Sequence, residues 1–268
     1  MHLYKTLRKL VLISLAFIPV AANAQFYNRL EIGYSYVMAT GQYSGTSGFY
    51  NLNGSYGGDT IVKRNITAKA GYGEDIGLCI PLKRVGRINM WALSIHFMAN
   101  EFIWSGLNQG FSADGTFIDP YGIADLDGAT LQMAVPIGID YKIGTDAVCS
   151  KKVRFGVTFG AGVMPSFNET VMINVNGAGG GLVTSVNPFV KAEVAVFGGL
   201  CFKLRALYSF GNVPYIDQNK DILAVTSGPF TVTGTSNLTL SFIIMPFAWH
   251  WKEESWATNY GRYNRYLD

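Results

Sequence analysis

The fold is decided by strict alternation of side chains at residues 153–163, whose sequence is VRFGVTFGAGV. One side of this stretch carries Val153, Phe155, Val157 and Phe159 and then continues with alanine and valine. The opposite side carries arginine, threonine and glycine. A period of two residues indicates a β-strand with one apolar and one polar face.

The same alternation recurs along the chain. The other segments that show it are residues 30–36, 62–80, 91–97, 131–143, 190–196, 204–210 and 238–244. In the segment 62–80, Arg64 and Glu74 fall on the apolar face, so we expect a bulge or membrane-edge positions there. The pattern predicts about eight strands and leaves ten open.

The apolar faces could meet in a soluble β-sandwich or face lipid in a closed barrel. Charged residues make up 15% of the chain, against about 25% in soluble domains. Polar faces rich in glycine suit a narrow closed interior better than a solvent-facing sheet. Short connectors alternate with long ones, as in membrane barrels: the short ones are near 83–87, 145–151 and 201–203, and the long ones are at 41–60, 106–128, 169–185 and 212–228. We therefore predict an all-β, transmembrane antiparallel β-barrel whose short turns face the periplasm. The segment 169–185 is predicted to be a hairpin extending beyond the bilayer, with a turn at 177–181.

The first residues predict export. Lys5, Arg8 and Lys9 precede an apolar run at residues 10–20, and Ala22-Asn23-Ala24 is a small-residue cleavage site. This arrangement is typical of a secretory signal peptide. The predicted organisation is a signal peptide at 1–24, a barrel at 25–249 and a short C-terminal periplasmic tail at 250–268.

At this point the sequence resembles the small outer-membrane β-barrel proteins of the OmpX and OmpA type, which have eight strands. The resemblance covers residues 25–247 and depends on the alternation pattern and connector lengths. It implies a fold and an outer-membrane location more than an activity. The chain departs from such barrels because about twenty residues follow the aromatic residues, Phe247 or Trp249, that would end the last strand.

Charges on the polar faces predict an ionic barrel interior. The predicted interior network consists of Arg29, Glu31, Lys63, Lys69, Asp75, His96, Asp140, Lys142, Arg154, Lys191, Glu193, Lys203 and Arg205. Basic groups exceed acidic groups in this set, which could describe a weakly anion-selective pathway. Eight strands leave space only for side chains, however, and buried charges must pair. We therefore favour a salt-bridged plug.

The tail is a candidate interface. Its aromatic and apolar residues are Trp251, Trp256, Tyr260, Tyr263, Tyr266 and Leu267. Several fall at helical spacing, so a short amphipathic helix could present them to the inner leaflet or to a partner protein. The alternative is an extension of the aromatic belt with a disordered end.

Three cysteines, Cys79, Cys149 and Cys201, map near the short-turn side. One disulfide of unknown pairing is conceivable in an oxidising compartment, and three unpaired thiols are the alternative. His96 and Ser94 share a polar strand face, but residues at i and i+2 are about 7 Å apart, too far for a direct nucleophile–base hydrogen bond. No catalytic, cofactor-binding or metal-binding set is predicted.

These observations favour a non-enzymatic accessory or structural outer-membrane protein that binds partners through its extracellular loops and its tail. The expected partners are outer-membrane lipids and other envelope proteins, and the net charge of +3 is too small to suggest nucleic acid. The alternative is a narrow channel or a conduit for small solutes or hydrophobic molecules. A lipid-modifying enzyme is a third interpretation with less support.

Overall fold

The computed structural model describes residues 29–50, 56–105, 128–148, 153–174, 177–217 and 230–248. The predicted signal peptide, Cys149 and the tail at 250–268 lie outside these residues. No helix in the described part of the chain is long and apolar enough to cross a membrane.

Nearly all of the described residues lie in antiparallel β-strands. The elements in chain order are β1 (Leu30–Tyr50), β2 (Tyr56–Thr67), β3 (Lys69–Val85), β4 (Asn89–Trp104), β5 (Gly128–Ala134), β6 (Ile137–Gly144), a single helical turn α1 (Thr145–Val148), β7 (Phe155–Asn174), β8 (Gly177–Phe197), β9 (Cys201–Asp217) and β10 (Phe230–Met245).

The strands close into a ring of eight positions. β2 with β3 and β5 with β6 each form one interrupted strand, and β10 pairs with β1 from Ile32↔Ile244 to Gly45↔Phe230. The predicted eight-stranded antiparallel barrel is therefore confirmed. The two interruptions explain why ten strand elements make an eight-stranded wall.

The outside of the barrel is apolar. Large hydrophobic side chains are exposed on every wall position, and they include Ile32, Tyr34, Ile76, Trp91, Ile139, Phe159, Val163, Val190, Val194, Leu204, Phe242 and Leu240. The residues between them point inward and are buried, as the alternation predicts. Closure pairs the backbone groups of the wall, which is the requirement for a sheet that crosses a bilayer.

The strands of the wall are longer than a membrane requires. β1 and β8 each have 21 residues and β7 has 20, whereas a tilted strand crosses with about 9–11. The predicted hairpin near 169–185 is confirmed, because β7 pairs with β8 up to Asn174↔Gly177. The predicted turn at 177–181 is wrong, since those glycines already lie in β8.

A register change explains the one segment where the alternation was irregular. Ala68 separates β2 from β3, and the pairing of β3 with β4 shifts between Lys69 and Tyr72. After the shift, the odd-numbered residues of β3 point inward. Before it, the odd-numbered residues of β2 are exposed. The shift turns Arg64 toward the buried ring of Tyr43, 4.9 Å from its centroid.

Candidate functional site: the filled barrel interior

The interior charges lie in the half of the barrel nearest the short turns. Glu31 is the second residue of β1, Lys203 is the third of β9, and Glu193 lies near the end of β8. The buried residues of the predicted network are Arg29, Glu31, Asp75, His96, Asp140, Lys142, Lys191, Glu193, Lys203 and Arg205.

Three residues of the predicted network lie elsewhere. Lys63 and Lys69 are exposed because the register change at Ala68 reverses the faces of the interrupted strand. Arg154 is exposed because it precedes Phe155, where β7 begins. These three placements correct the prediction.

One interior acid was missed by the sequence reasoning. Asp146 belongs to α1, a turn whose residues Thr145, Asp146 and Ala147 are buried in the short-turn mouth. Gly144 reaches a positive φ of 77° at the end of β6, a conformation that suits glycine and allows the chain to turn inward. A single aspartate in a short connector gives no periodic signal, so the alternation could not identify it.

We call the ion-paired set the charge cluster. It consists of Glu31, Asp75, His96, Asp140, Lys142, Asp146, Lys191, Glu193, Lys203 and Arg205. Among the described residues it therefore contains five carboxylates, four lysine or arginine side chains and one histidine. With buried Arg29, which is not part of this cluster, the described interior holds five carboxylates and five lysine or arginine side chains, a balance that differs from the basic excess expected from the sequence.

Arg205 is at the centre of the charge cluster. Its Nε donates to Glu193 Oε1 at 2.6 Å, its Nη1 donates to Asp75 Oδ2 at 2.6 Å, and its Nη2 donates to Glu31 Oε2 at 2.7 Å. The guanidinium also lies against His96, with Nη–ring nitrogen distances of 3.2 Å. A planar group with several fixed donors is suited to joining three carboxylates in this way.

The lysines extend the charge cluster toward both sides. Lys203 Nζ donates to Glu31 Oε1 at 2.5 Å and also contacts Asp146. Lys142 Nζ donates to Asp146 Oδ2 at 2.7 Å. Lys191 Nζ lies 2.9 Å from Asp140 Oδ2 and 3.0 Å from the Ser94 hydroxyl. The cluster therefore spans the lumen from wall to wall.

The side chains of Ser94 and His96, the candidate catalytic pair, are both bound to acids of the charge cluster. Ser94 Oγ donates to Asp140 Oδ1 at 3.1 Å, and His96 Nδ1 lies 3.0 Å from Asp75 Oδ1. Both side chains are buried inside the barrel. Neither faces the lipid, where a lipid-modifying enzyme would need its nucleophile.

The thiols of Cys79 and Cys201 are free and buried. Cys79 and Cys201 are therefore not joined to each other, which removes one of the pairings that the sequence left open. Arg29 Nη1 lies 3.9 Å from Cys79 Sγ and 3.5 Å from Met90 Sδ.

Neutral polar groups occupy the middle of the lumen. Gln132 Oε1 accepts hydrogen bonds from Asn100 Nδ2 at 3.3 Å and from Asn237 Nδ2 at 3.2 Å. Asn237 Nδ2 also donates to the Tyr215 hydroxyl at 3.3 Å.

Aromatic rings fill the lumen toward the long loops. The rings of Phe102, Trp104 and Tyr215, which we call the aromatic cap, have centroids 5.2 to 5.6 Å apart. Trp104 Nε1 donates to Thr130 Oγ1 at 3.1 Å. All three rings are almost fully buried. Interior aromatic residues on a strand were not predicted, because aromatic residues were expected to face lipid.

The close fit of the interior predicts the cost of one added methyl group. Gly77 pairs with His96, and a Cβ on Gly77 would lie 1.9 Å from His96 Nδ1. His96 is held by Asp75 and Arg205 and cannot move away freely. We expect Gly77→Ala to lower the free energy of unfolding by about 1–3 kcal/mol, measured by urea titration in detergent micelles.

The matched control for Gly77→Ala is Gly198→Ala. Gly198 lies in the turn between β8 and β9, and a Cβ there would meet nothing within 4 Å. Equal stability of the two alanine variants would contradict the close packing around His96.

Asp146, the acid in α1, should make the free energy of unfolding depend on pH. Burial raises the pKa of Asp146, but Lys142 and Lys203 outweigh burial, so the pKa lies below its ordinary value. The ionised carboxylate therefore stabilises the fold above the unfolded pKa of about 3.9, and this contribution is lost as the pH falls below that value. We expect Asp146→Asn to cost about 1.5–3 kcal/mol at pH 7.

The same variant tests the sign of that dependence. The difference in unfolding free energy between the native protein and Asp146→Asn should stay constant from pH 7 to about pH 5 and narrow as the pH falls below about 3.9. A difference that does not narrow below about pH 3.9 would show that the Asp146 charge is not paired in the folded protein.

Comparison with known proteins completes the description of the site. No family model matches the chain, and no curated protein matches it. Among solved structures, Neisserial surface protein A is 11% identical, with 80% of this chain and 96% of that chain covered and a TM-score of 0.30. The outer membrane protease OmpT from Escherichia coli is 10% identical, with coverages of 83% and 98% and a TM-score of 0.38. The attachment invasion locus protein Ail of Yersinia pestis is 10% identical, with coverages of 80% and 99% and a TM-score of 0.31.

Proposed function

We propose that this protein is a non-enzymatic outer-membrane β-barrel that serves as an accessory or structural subunit and binds partners with the parts outside the membrane. The observation that carries this proposal is the difference between the two halves of the barrel. The half nearest the short turns, which we place in the membrane, is filled by the charge cluster. Toward the long loops, strands such as β1 and β8 continue for about ten residues more than a bilayer needs.

The apolar exterior supports a membrane location. A continuous belt of exposed apolar side chains such as Phe155, Phe159 and Leu204 is unfavourable in water. The same belt is favourable in contact with lipid acyl chains. The predicted signal peptide at 1–24 supports export. Together these features favour the outer membrane, with its lipids as the first partners of the barrel wall.

The filled interior supports a binding role over transport. Each lysine and arginine of the charge cluster lies within 4 Å of a carboxylate, and the aromatic cap covers the lumen above them. A solute would have to displace both layers. A narrow channel therefore has less support, and so does catalysis at Ser94 and His96.

Partner capture from outer membranes tests this proposal. The native protein is purified in mild detergent beside a variant lacking residues 250–268 and a variant in which residues 46–61 are replaced by a short turn. The new turn would join Gly45 to Val62, which pair with each other, so the barrel between this pair and the short turns is retained.

We expect an envelope protein to copurify in a fixed ratio with the native barrel and to be lost from at least one variant. Both variants must retain the resistance of the folded barrel to sodium dodecyl sulfate before heating. A native protein that purifies alone from freshly extracted membranes would contradict the accessory role.

A further inference from the structure

The barrel wall splits between β8 and β9. Their pairing covers only Phe189–Phe197 with Cys201–Ser209, although β8 begins at Gly177 and β9 continues to Asp217. Above the pairing, residues 177–188 and 210–217 run on without a shared ladder. Unpaired backbone groups cannot face hydrocarbon, so the split lies outside the membrane, in the protruding part of the barrel.

The free side of β9 is occupied by side chains. Asn168 Nδ2 donates to the Pro214 carbonyl at 2.9 Å, and Thr170 Oγ1 donates to the Tyr215 carbonyl at 2.8 Å. Asn187 belongs to β8, and its Nδ2 donates to the Phe210 and Asn212 carbonyls at 3.4 and 3.2 Å, so it bridges the two strands at the lower end of the split. Asn168 and Thr170 point into the barrel from β7, so these bonds hold the upper half of β9 toward the lumen. β9 is thereby kept from closing the split.

Within the described residues, the free side of β8 has no comparable bonds beyond Asn187 toward Gly177. We call residues 177–188, with the sequence GAGGGLVTSVNP, the β8 edge. In the described part of the chain, β7 is the strand that pairs with it. Natural sheet edges are protected by charges, prolines or bulges, yet the β8 edge has no charge and its proline, Pro188, lies at its base. Leu182 and Val186 on this edge are 64% and 66% exposed.

The other protruding edge shows what protection looks like in the same molecule. β2 pairs with β1 and ends the sheet. It carries the exposed side chain of Lys63, a charge that discourages the addition of another strand. The β8 edge is therefore the protruding edge best suited to accept a partner strand.

A second copy of this chain does not fit the β8 edge. Two barrels in one membrane share the same up-down orientation and would be related by an axis along the membrane normal. Their β8 strands would then cross at about twice the usual strand tilt of 35–45°, and crossed strands cannot form a ladder. An extended segment of a separate polypeptide has no fixed direction relative to the membrane, so it can align with the β8 edge.

We infer that the β8 edge binds an extended, uncharged, β-branched segment of another polypeptide as an added strand. This inference rests on the proposed partner-binding function and specifies its surface. Main-chain hydrogen bonds would supply affinity, and side chains beside Leu182 and Val186 would supply selectivity. The added strand would complete the sheet that β9 leaves open.

A peptide-binding measurement tests this inference. The probe is a fluorescein-labelled peptide of alternating threonine and valine with a lysine at each end, and binding to the full-length barrel in micelles is followed by fluorescence anisotropy. The control probe has the same sequence with alternate backbone amides N-methylated. Each hydrogen bond lost to methylation weakens binding by up to about tenfold.

Two matched variants locate the binding edge. Thr184→Lys adds a charge to the β8 edge, and Thr67→Lys adds the same charge to β2; both threonines are exposed on protruding strands. We expect saturable binding of the first probe, at least about tenfold weaker binding of the methylated probe, and a comparable loss in Thr184→Lys but not in Thr67→Lys.

Three results would overturn the inference: no binding of the unmethylated peptide, equal binding of both peptides, or equal loss in both lysine variants. Partner capture by the native barrel that Thr184→Lys leaves unchanged would place the partner on another surface. In that case the proposed function would stand and the β8 edge would not be its site.

Discussion

Replacing Arg205 with methionine should destabilise the barrel more than any exposed substitution. The side chain is buried and joins Glu31, Asp75 and Glu193 through three hydrogen bonds of 2.6 to 2.7 Å. Methionine has a similar length but leaves these carboxylates facing one another without a guanidinium. Removing one partner from a buried ionic network costs about 3–5 kcal/mol, and we expect a loss of that size in urea titrations at pH 7.

Arg154→Met is the matched control for this prediction. The substitution is the same, but Arg154 is exposed beside the first residue of β7, and surface changes usually stay within about 0.5 kcal/mol. A native-like Arg205→Met variant, or equal losses in both variants, would show that the charge cluster does not stabilise the barrel.

Replacing Trp104 with alanine should have the second large effect. The indole is fully buried, packs against Phe102 and Tyr215, and donates a hydrogen bond to Thr130. Truncation of a buried aromatic side chain leaves a cavity and costs about 3–5 kcal/mol. The loss is measured by urea titration, and the near-ultraviolet circular dichroism of the aromatic cap should weaken with it.

Trp91→Ala separates this packing effect from the loss of a tryptophan as such. Trp91 is 41% exposed on the outer wall, and its ring lies 4.8 Å from the ring of Tyr141. We expect a loss of about 0.5–1.5 kcal/mol, typical of an aromatic pair. A loss in Trp91→Ala as large as that in Trp104→Ala would mean that the interior cap contributes no more than the lipid-facing surface.

The fold was predictable because alternation is a local property. In β7 and β9 the residues between apolar positions are buried in the structure, as the sequence pattern required. The same parity placed Glu193, Lys203 and Arg205 inside the barrel without any knowledge of their partners. A strand that continues without interruption carries its face assignment from one end to the other.

The errors arose where that continuity fails. The register change between Ala68 and Tyr72 reverses the faces of β2 and of Lys69, the first residue of β3, so Lys63 and Lys69 were assigned to the wrong side. Asp146 lies in a helical turn that has no period of two. Trp104 and Tyr215 are interior although aromatic residues on a barrel are expected to face lipid, because the protruding half needs an apolar core of its own.

The split between β8 and β9 could not be predicted from the sequence either. It depends on hydrogen bonds from Asn168 and Thr170 to carbonyls of β9, residues that lie more than 40 positions apart along the chain. The local pattern identified only the paired parts of both strands, near 190–196 and 204–210, and contains no information on where their pairing ends.

Paired charges and aromatic rings close the interior of this membrane-spanning barrel. The decisive measurement is the conductance of the purified protein in planar lipid bilayers, with insertion verified by protection of the strands from proteinase K. We expect no steady ion conductance above that of the bare bilayer at either polarity. Reproducible, stepwise and ion-selective currents from the inserted native protein would contradict it.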